Sequence, residues 1–399
     1  MHAEVTSSAG APATDTARYR ALDGVRGLAI VVVVIHNSGA VWGERNSAAL
    51  KAWALFSNAG WIGVQLFFAL SGFLITRILL ENAGKPGALR SFYVRRFLRI
   101  VPLYYATLLF VFYVTPQVSF LSPIADPGTR SQFWYWAYLS NWLTPFGGMV
   151  PALPHIWSLA VEEQFYLLWP LALIALKPRR LAFTCVAIVG VAFVVRGVLH
   201  VLFPPAAAEY AAYTFTISRW DAIALGALVA LLQRDARATF ALTSRFHIVL
   251  GLAIATLFVT TLVNRGLPAW GRVTEIVGMP FSAIASALVV LACVSDADVR
   301  GSAATVRRAL RRALSAKWLA WTGKFSYGIY MFHLPVHIVL QRHIPASLST
   351  ASSGNVRFVA LLAYVGCVFV VSSALAVVSW FVLEQPMLSL KRYFPMARA

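Results

Sequence analysis

Arg26 and His36 share one apolar run near the start of the chain, Leu22 to Val41. An imidazole there can take or give a proton, and a guanidinium can hold an anion or a developing negative charge. A charge at the centre of a bilayer-length segment costs about 2.5 kcal/mol or more, so such residues lie mainly where a helix lines a pocket or polar path. The plainer alternative is an arginine snorkelling to the interface and a histidine hydrogen-bonded within the bundle. Arg96 and Arg99 stand three apart, on one helix face, where two guanidinium groups can grip phosphate oxygens or anchor to lipid headgroups. Glu162 and Glu163 are adjacent carboxylates in a chain poor in acids. They point about 100° apart on a helix and suit acid/base work, the orienting of a histidine, or pairing with a buried arginine. Arg219 and Asp221 can bind sugar hydroxyls or form a local ion pair. His333 lies beside Pro335, which should kink its helix, and either lines a pocket or is structural. Ser71 lies among small residues, Gly63 and Gly72, that favour close helix packing.

These residues need a membrane scaffold. Of 399 residues, 59% are hydrophobic and only 12% are charged, and the mean hydropathy is +0.70. The net charge of +19 sits in short segments between apolar runs, which is the membrane pattern and not that of a nucleic-acid binder. Apolar runs cover 22–42, 60–81, 100–116, 131–146, 158–176, 181–203, 215–233, 246–264, 274–294, 321–341 and 357–383. The basic connectors 82–99, 177–180, 234–245 and 295–320 all fall on the cytoplasmic side only if 131–146, crowded with Trp and Tyr, is interfacial or re-entrant. This predicts an all-α polytopic membrane protein of about ten transmembrane helices around a central polar pocket, both termini cytoplasmic. Arg26, Arg96 and Arg99 then lie near the inner side. His36, about 15 Å further along helix 1, lies with Glu162, Glu163, Arg219, Asp221 and His333 toward the outer side. Cys185, Cys293 and Cys367 read as small buried hydrophobes with no metal-ligand spacing. Residues 1–20 are polar and small, with no signal-peptide core, and read as a disordered cytoplasmic tail.

Six stretches occur in order: Leu22-Asp-Gly-Val-Arg-Gly-Leu-Ala29, Leu66-Phe-Phe-Ala-Leu-Ser-Gly-Phe-Leu-Ile-Thr76, Arg95-Arg-Phe-Leu-Arg-Ile-Val-Pro102, His155-Ile-Trp-Ser-Leu-Ala-Val-Glu-Glu-Gln-Phe-Tyr166, Arg219-Trp-Asp-Ala222 and Ser326-Tyr-Gly-Ile-Tyr-Met-Phe-His-Leu-Pro335. Together they resemble the acyltransferase-3 family of integral membrane O-acyltransferases. The resemblance implies transfer of an acyl group, often acetyl, from cytoplasmic acyl-CoA to a hydroxyl, often of an extracytoplasmic saccharide or glycoside. The family's helix-1 arginine and histidine map onto Arg26 and His36, its Arg-x-x-Arg pair onto Arg96 and Arg99, and its glutamate after Trp-Ser-Leu onto Glu162. Two departures stand out. Nine residues separate Arg26 and His36 where the family usually has ten, so His36 falls about 80° off the face of Arg26 unless the helix bulges. Gln65 replaces a frequent acidic residue. The resemblance divides the chain into a tail, 1–20, a transmembrane acyltransferase domain, 21–388, and a basic cytoplasmic tail, 389–399, with no extracytoplasmic hydrolase-like domain after it.

The resulting expectation is a bacterial inner-membrane enzyme with acyl-CoA as co-substrate, membrane lipids around it, and no metal. Arg96 and Arg99 take the phosphates of the donor. His36 either deprotonates the acceptor hydroxyl or takes the acyl group transiently, the general-base route being favoured because no Ser, Cys or Thr nucleophile stands out. Glu162 orients it or raises its basicity, and Arg26 binds the donor or the oxyanion. Glu163, Arg219, Asp221 and His333 contact the acceptor. One cavity must then border both His36 and the arginine pair. The rival is a proton-coupled transporter or flippase using the same buried Arg, His and Glu.

Overall fold

The computed structural model describes residues 13–40, 47–125, 132–295, 301–344 and 353–395, with side chains from Arg20 onward. Every regular element among the described residues is helical. Helix α1 (Ala13–Ser38) begins within the stretch read as a tail; residues 1–12, the last residues of the first apolar run and the end of the basic tail lie outside the described residues. Hydropathy does not announce α2 (Ala48–Asn58), whose first turn is capped by the Ser47 hydroxyl on the Leu50 amide at 3.2 Å. A 3-10 turn joins it to α3 (Ile62–Glu81). Helix α4 (Ala88–Leu109) carries the arginine pair.

The described part of the aromatic segment, residues 132–146, holds no helix long enough to span. It forms α5 (Gln132–Trp136), α6 (Ser140–Leu143) and a 3-10 turn. Its aromatics bind α4: Tyr138 stacks on Tyr104 at 4.1 Å, and the Tyr104 and Tyr105 hydroxyls donate to the carbonyls of Tyr135 and Trp136 at 2.7 and 3.0 Å. The chain continues through α7 (Trp157–Ala175), α8 (Pro178–Leu202), α9 (Pro205–Thr214), α10 (Thr216–Leu232), α11 (Ala236–Ser244), α12 (Phe246–Val263) and α13 (Met279–Val294). The basic connector is itself helical over α14 (Ser302–Leu314), with Arg300 outside the described residues. The run 321–341 divides at Phe325 between α15 (Lys317–Lys324) and α16 (Ser326–Gln341), and α16 continues through Pro335. Helices α17 (Gly354–Ser379) and α18 (Gln385–Ser389) complete the bundle.

Eight helical segments among the described residues are long and apolar enough to cross a membrane. The expected ten differ by α7 and α16. Glu162, Glu163 and Gln164 lower the hydropathy of α7, and α16 has only 16 residues. Both pack within the bundle, α7 against α3 and α16 against α1 and α17. Helices α8 and α12 form the rim, with Phe183, Val201, Ile248 and Leu262 exposed as a lipid contact requires. Cys185 and Cys293 are buried as expected, but Cys367 is exposed on α17, because it falls on that helix's outward face.

Small residues set the helix spacing. A side chain at Gly72 would strike the Ile223 carbonyl of α10, and one at Gly226 would strike the Ala69 carbonyl of α3. The two backbones therefore touch, the packing that small residues permit where lipid removes the hydrophobic drive between helices. Gly226→Leu is expected to abolish recovery of monodisperse protein on size-exclusion chromatography, since both clashing groups are backbone. A normal elution profile and melting temperature would refute this close crossing.

Candidate active site

The expected single cavity bordering both His36 and the arginine pair is not found; two cavities stand in its place, one with the arginines and one with His36. The first, of about 290 Å³, is bordered by Asp23 and Arg26 of α1, Ser71 of α3, Arg96 and Arg99 of α4, and Glu162 of α7. The i, i+3 spacing on α4 brings both arginines to this wall, as their shared face requires. Arg26 pairs with Asp23 at 2.6 Å. Arg96 lies over the Tyr166 ring, 3.5 Å from its centre, and within 3.8 and 3.6 Å of Glu162 and Glu163. Tyr166 donates to Glu162 at 2.7 Å and also bonds Ser71. Arg99 is exposed and has no carboxylate within ion-pair distance among the described residues.

The second cavity, of about 260 Å³, is bordered by His36, Asn37 and His155 among aromatic walls that include Trp61, Trp157 and Trp270. His36 lies 2.9 Å from the Ser57 carbonyl through Nδ1. A carbonyl only accepts, so Nδ1 carries the proton and the lone pair is on Nε2. The imidazole is held there because Gly60 lets the turn after α2 lie directly against His36.

The two cavities meet at a partition. Val64 and Tyr330 border both. The Tyr330 hydroxyl is tied to Ser158 at 2.6 Å and to the His155 carbonyl at 2.8 Å. Helix α1 is regular from end to end and supplies no bulge. Arg26 and His36 therefore face different cavities, as their offset of ten residues dictates.

Several expected roles are corrected by this geometry. Glu162 does not orient His36, because it is engaged by Tyr166 and Arg96 in the other cavity. Glu163 also turns to Arg96 and borders neither cavity. Asp221 is fully buried against Arg196 at 2.8 Å, an ion pair that leaves no carboxylate for a sugar. Arg219 is enclosed by Phe68, Trp157 and Tyr213 at 5.6, 5.3 and 5.0 Å, with Met279 Sδ at 2.9 Å. It stands behind the aromatic wall of the histidine cavity rather than in it. His333 is also behind the wall. Its Nδ1 donates to the Tyr330 carbonyl at 2.7 Å, and its Nε2 accepts from Asn37 at 3.0 Å. Gln65, where the family often has an acid, donates to Ser282 at 3.2 Å and to the Met279 carbonyl at 3.3 Å, a contact between α3 and α13 away from both cavities.

Sequence reasoning missed Asn37, Tyr330 and His155 at the cavities. It also missed Arg196, and the contact of His200 with Glu275 at 2.5 Å. Arg196 and His200, four apart in an otherwise apolar run, were a signal of a buried polar cluster. His155 opens the same stretch that holds Glu162 and Glu163, in a chain with few other histidines.

Residues 19–378 match the model of the acyltransferase-3 family, described as an acyltransferase domain. The chain is 28% identical over 334 residues to the peptidoglycan O-acetyltransferase OatA of Listeria monocytogenes, covering 79% of this chain and 49% of that protein. It is 30% identical over 390 residues to YrhL of Bacillus subtilis, named as a candidate peptidoglycan O-acetyltransferase, covering 92% of this chain and 54% of that protein. The chain thus spans about half the length of these curated relatives. No solved structure matches it.

Proposed function

Because the chain belongs to the acyltransferase-3 family of membrane O-acyltransferases, we propose that it moves an acetyl group from acetyl-CoA to a hydroxyl of a saccharide outside the cytoplasmic membrane of a bacterium. The observation that carries this reading is Arg99, a guanidinium open to a cavity and unpaired among the described residues, with Arg26 and Arg96 on the same walls. Asp23 attends Arg26 and both glutamates attend Arg96, so Arg99 is the cation left for an incoming phosphate. The arginine cavity faces the cytoplasm in this reading, with both termini on that side. Glu162 holds Arg96 in place rather than acting on an imidazole.

The histidine cavity takes the acceptor. Flat aromatic walls suit the apolar faces of sugar rings, and a few polar groups fix the hydroxyls. His36 Nε2 removes the proton from the acceptor hydroxyl. The oxygen attacks the thioester carbonyl, the C–O bond forms, the C–S bond breaks, and coenzyme A leaves as the thiolate. Val64 and Tyr330 must move aside for thioester and His36 to meet. The saccharide class is supported by the Listeria relative, a peptidoglycan O-acetyltransferase.

Coenzyme A binding tests the donor side. Ligand at a hundredfold excess over Kd stabilises a protein by about 2.7 kcal/mol, a rise in melting temperature that a thermal scan of the purified chain resolves. Arg99→Gln is expected to weaken coenzyme A by about tenfold to a hundredfold with little change in the ligand-free melting temperature, since no ion pair is lost. A melting temperature indifferent to coenzyme A would remove the donor assignment and favour a transporter, which moves its substrate without consuming acyl-CoA.

A further inference from the structure

His155 occupies a 3-10 turn, Pro154–Ile156, that leads into α7. It is 5% exposed and borders the histidine cavity. Its backbone is pinned: the carbonyl accepts from the Tyr330 hydroxyl at 2.8 Å, which in turn accepts from the Ser158 hydroxyl at 2.6 Å. Its ring packs edge-on against Tyr330 and His333, with centres 5.1 and 5.0 Å apart. Neither ring nitrogen meets a partner at full hydrogen-bond geometry, and the backbone of Tyr330 and Met331 lies close enough to the ring to interact with it.

A neutral imidazole has one donor and one acceptor. Three imidazoles meet at this cavity or its wall, and they differ in what they have left. His333 uses both nitrogens, on Asn37 and on the Tyr330 carbonyl. His36 uses its N–H on Ser57 and keeps a lone pair. His155 keeps both. Buried polar groups are paired with few exceptions, so two unmet nitrogens on one fixed, cavity-lining ring mark a place where something binds. That something must accept from one edge of the ring and donate to the other. A carboxylate only accepts and an ammonium only donates, whereas each hydroxyl of a polyol does both and satisfies either tautomer.

We propose that His155 is an acceptor-binding residue, hydrogen-bonding the hydroxyls of the saccharide and presenting one of them to His36. This rests on the acetyl-transfer reading above and adds the residue that selects a hydroxyl-rich acceptor.

Two substitutions separate binding from packing. His155→Phe keeps the ring and its edge contacts but removes both nitrogens. His155→Gln keeps a donor and an acceptor but loses the ring. The full chain is expressed in cells that lack it, and ester-linked acetate released by alkali from their envelope saccharides is measured. The same proteins are purified for coenzyme A thermal shifts. His155→Phe is expected to lower ester acetate by about tenfold to a hundredfold with melting temperature and coenzyme A shift retained, and His155→Gln to recover most of the loss. Full activity in the Phe variant would overturn the proposal, because it assigns His155 to packing alone. Loss of the coenzyme A shift in both variants would overturn it as well, by making the residue a support of the fold. No ester acetate above background with the wild-type chain would overturn the transfer reading itself, and this inference with it.

Discussion

Replacing His36 by Gln should reduce acetyl transfer by about a thousandfold, within the range of a lost general base, while coenzyme A still raises the melting temperature as in the wild type. Glutamine can still donate to the Ser57 carbonyl that holds the imidazole at 2.9 Å, so the local packing has a substitute, but its amide cannot take a proton at neutral pH. The donor side is untouched, because His36 borders the histidine cavity and Arg26, Arg96 and Arg99 border the other. The split is the informative part. Transfer lost together with coenzyme A binding would mean that His36 maintains the bundle. Transfer retained in a folded variant would remove His36 from the chemistry and leave His155 as the imidazole to examine.

Depth along a helix can be counted from sequence, and direction around it only partly. The runs of apolar residues located most spanning helices, and the tryptophans of 131–146 correctly excluded that segment. The same method passed over α2, α9 and α14, since each is short or amphipathic and none presents about 20 apolar residues in a row. At the site, the three-residue step from Arg96 to Arg99 placed both on one wall. The ten-residue step from Arg26 to His36 already implied different directions, and the structure answers it with two cavities rather than a bulge. What the sequence could not carry is which helices meet. Depth alone groups Glu162 with His36, since both count toward the outer side. Tyr166, one turn along the same helix, and Arg96 from α4 hold it instead. The partition at Val64 and Tyr330 joins α3 to α16, more than 250 positions apart, and no local spacing reveals it.

Asp221 gives the sharpest contrast between the two kinds of inference. From sequence it could bind a sugar; in the structure it is the counterion of Arg196, both side chains fully buried. Arg196 Nε and Nη2 already lack hydrogen-bond partners, and Arg219 lies nearby on the same helix as Asp221, enclosed by aromatic rings. Asp221→Ala therefore strands a fully buried guanidinium without the carboxylate that ion-pairs with it. Breaking a buried pair in this way costs about 3–5 kcal/mol, a large share of the roughly 5–15 kcal/mol that holds a domain folded. The variant is expected to be recovered poorly and to melt well below the wild type. Replacing both partners, Arg196→Met with Asp221→Leu, removes the charge along with its counterion and should restore folding, as apolar replacements of buried pairs often do. Neither residue borders the arginine cavity or the histidine cavity, so acetyl transfer should return with the fold. A single Asp221→Ala variant that folds normally, binds coenzyme A and yet transfers nothing would return this carboxylate to the acceptor.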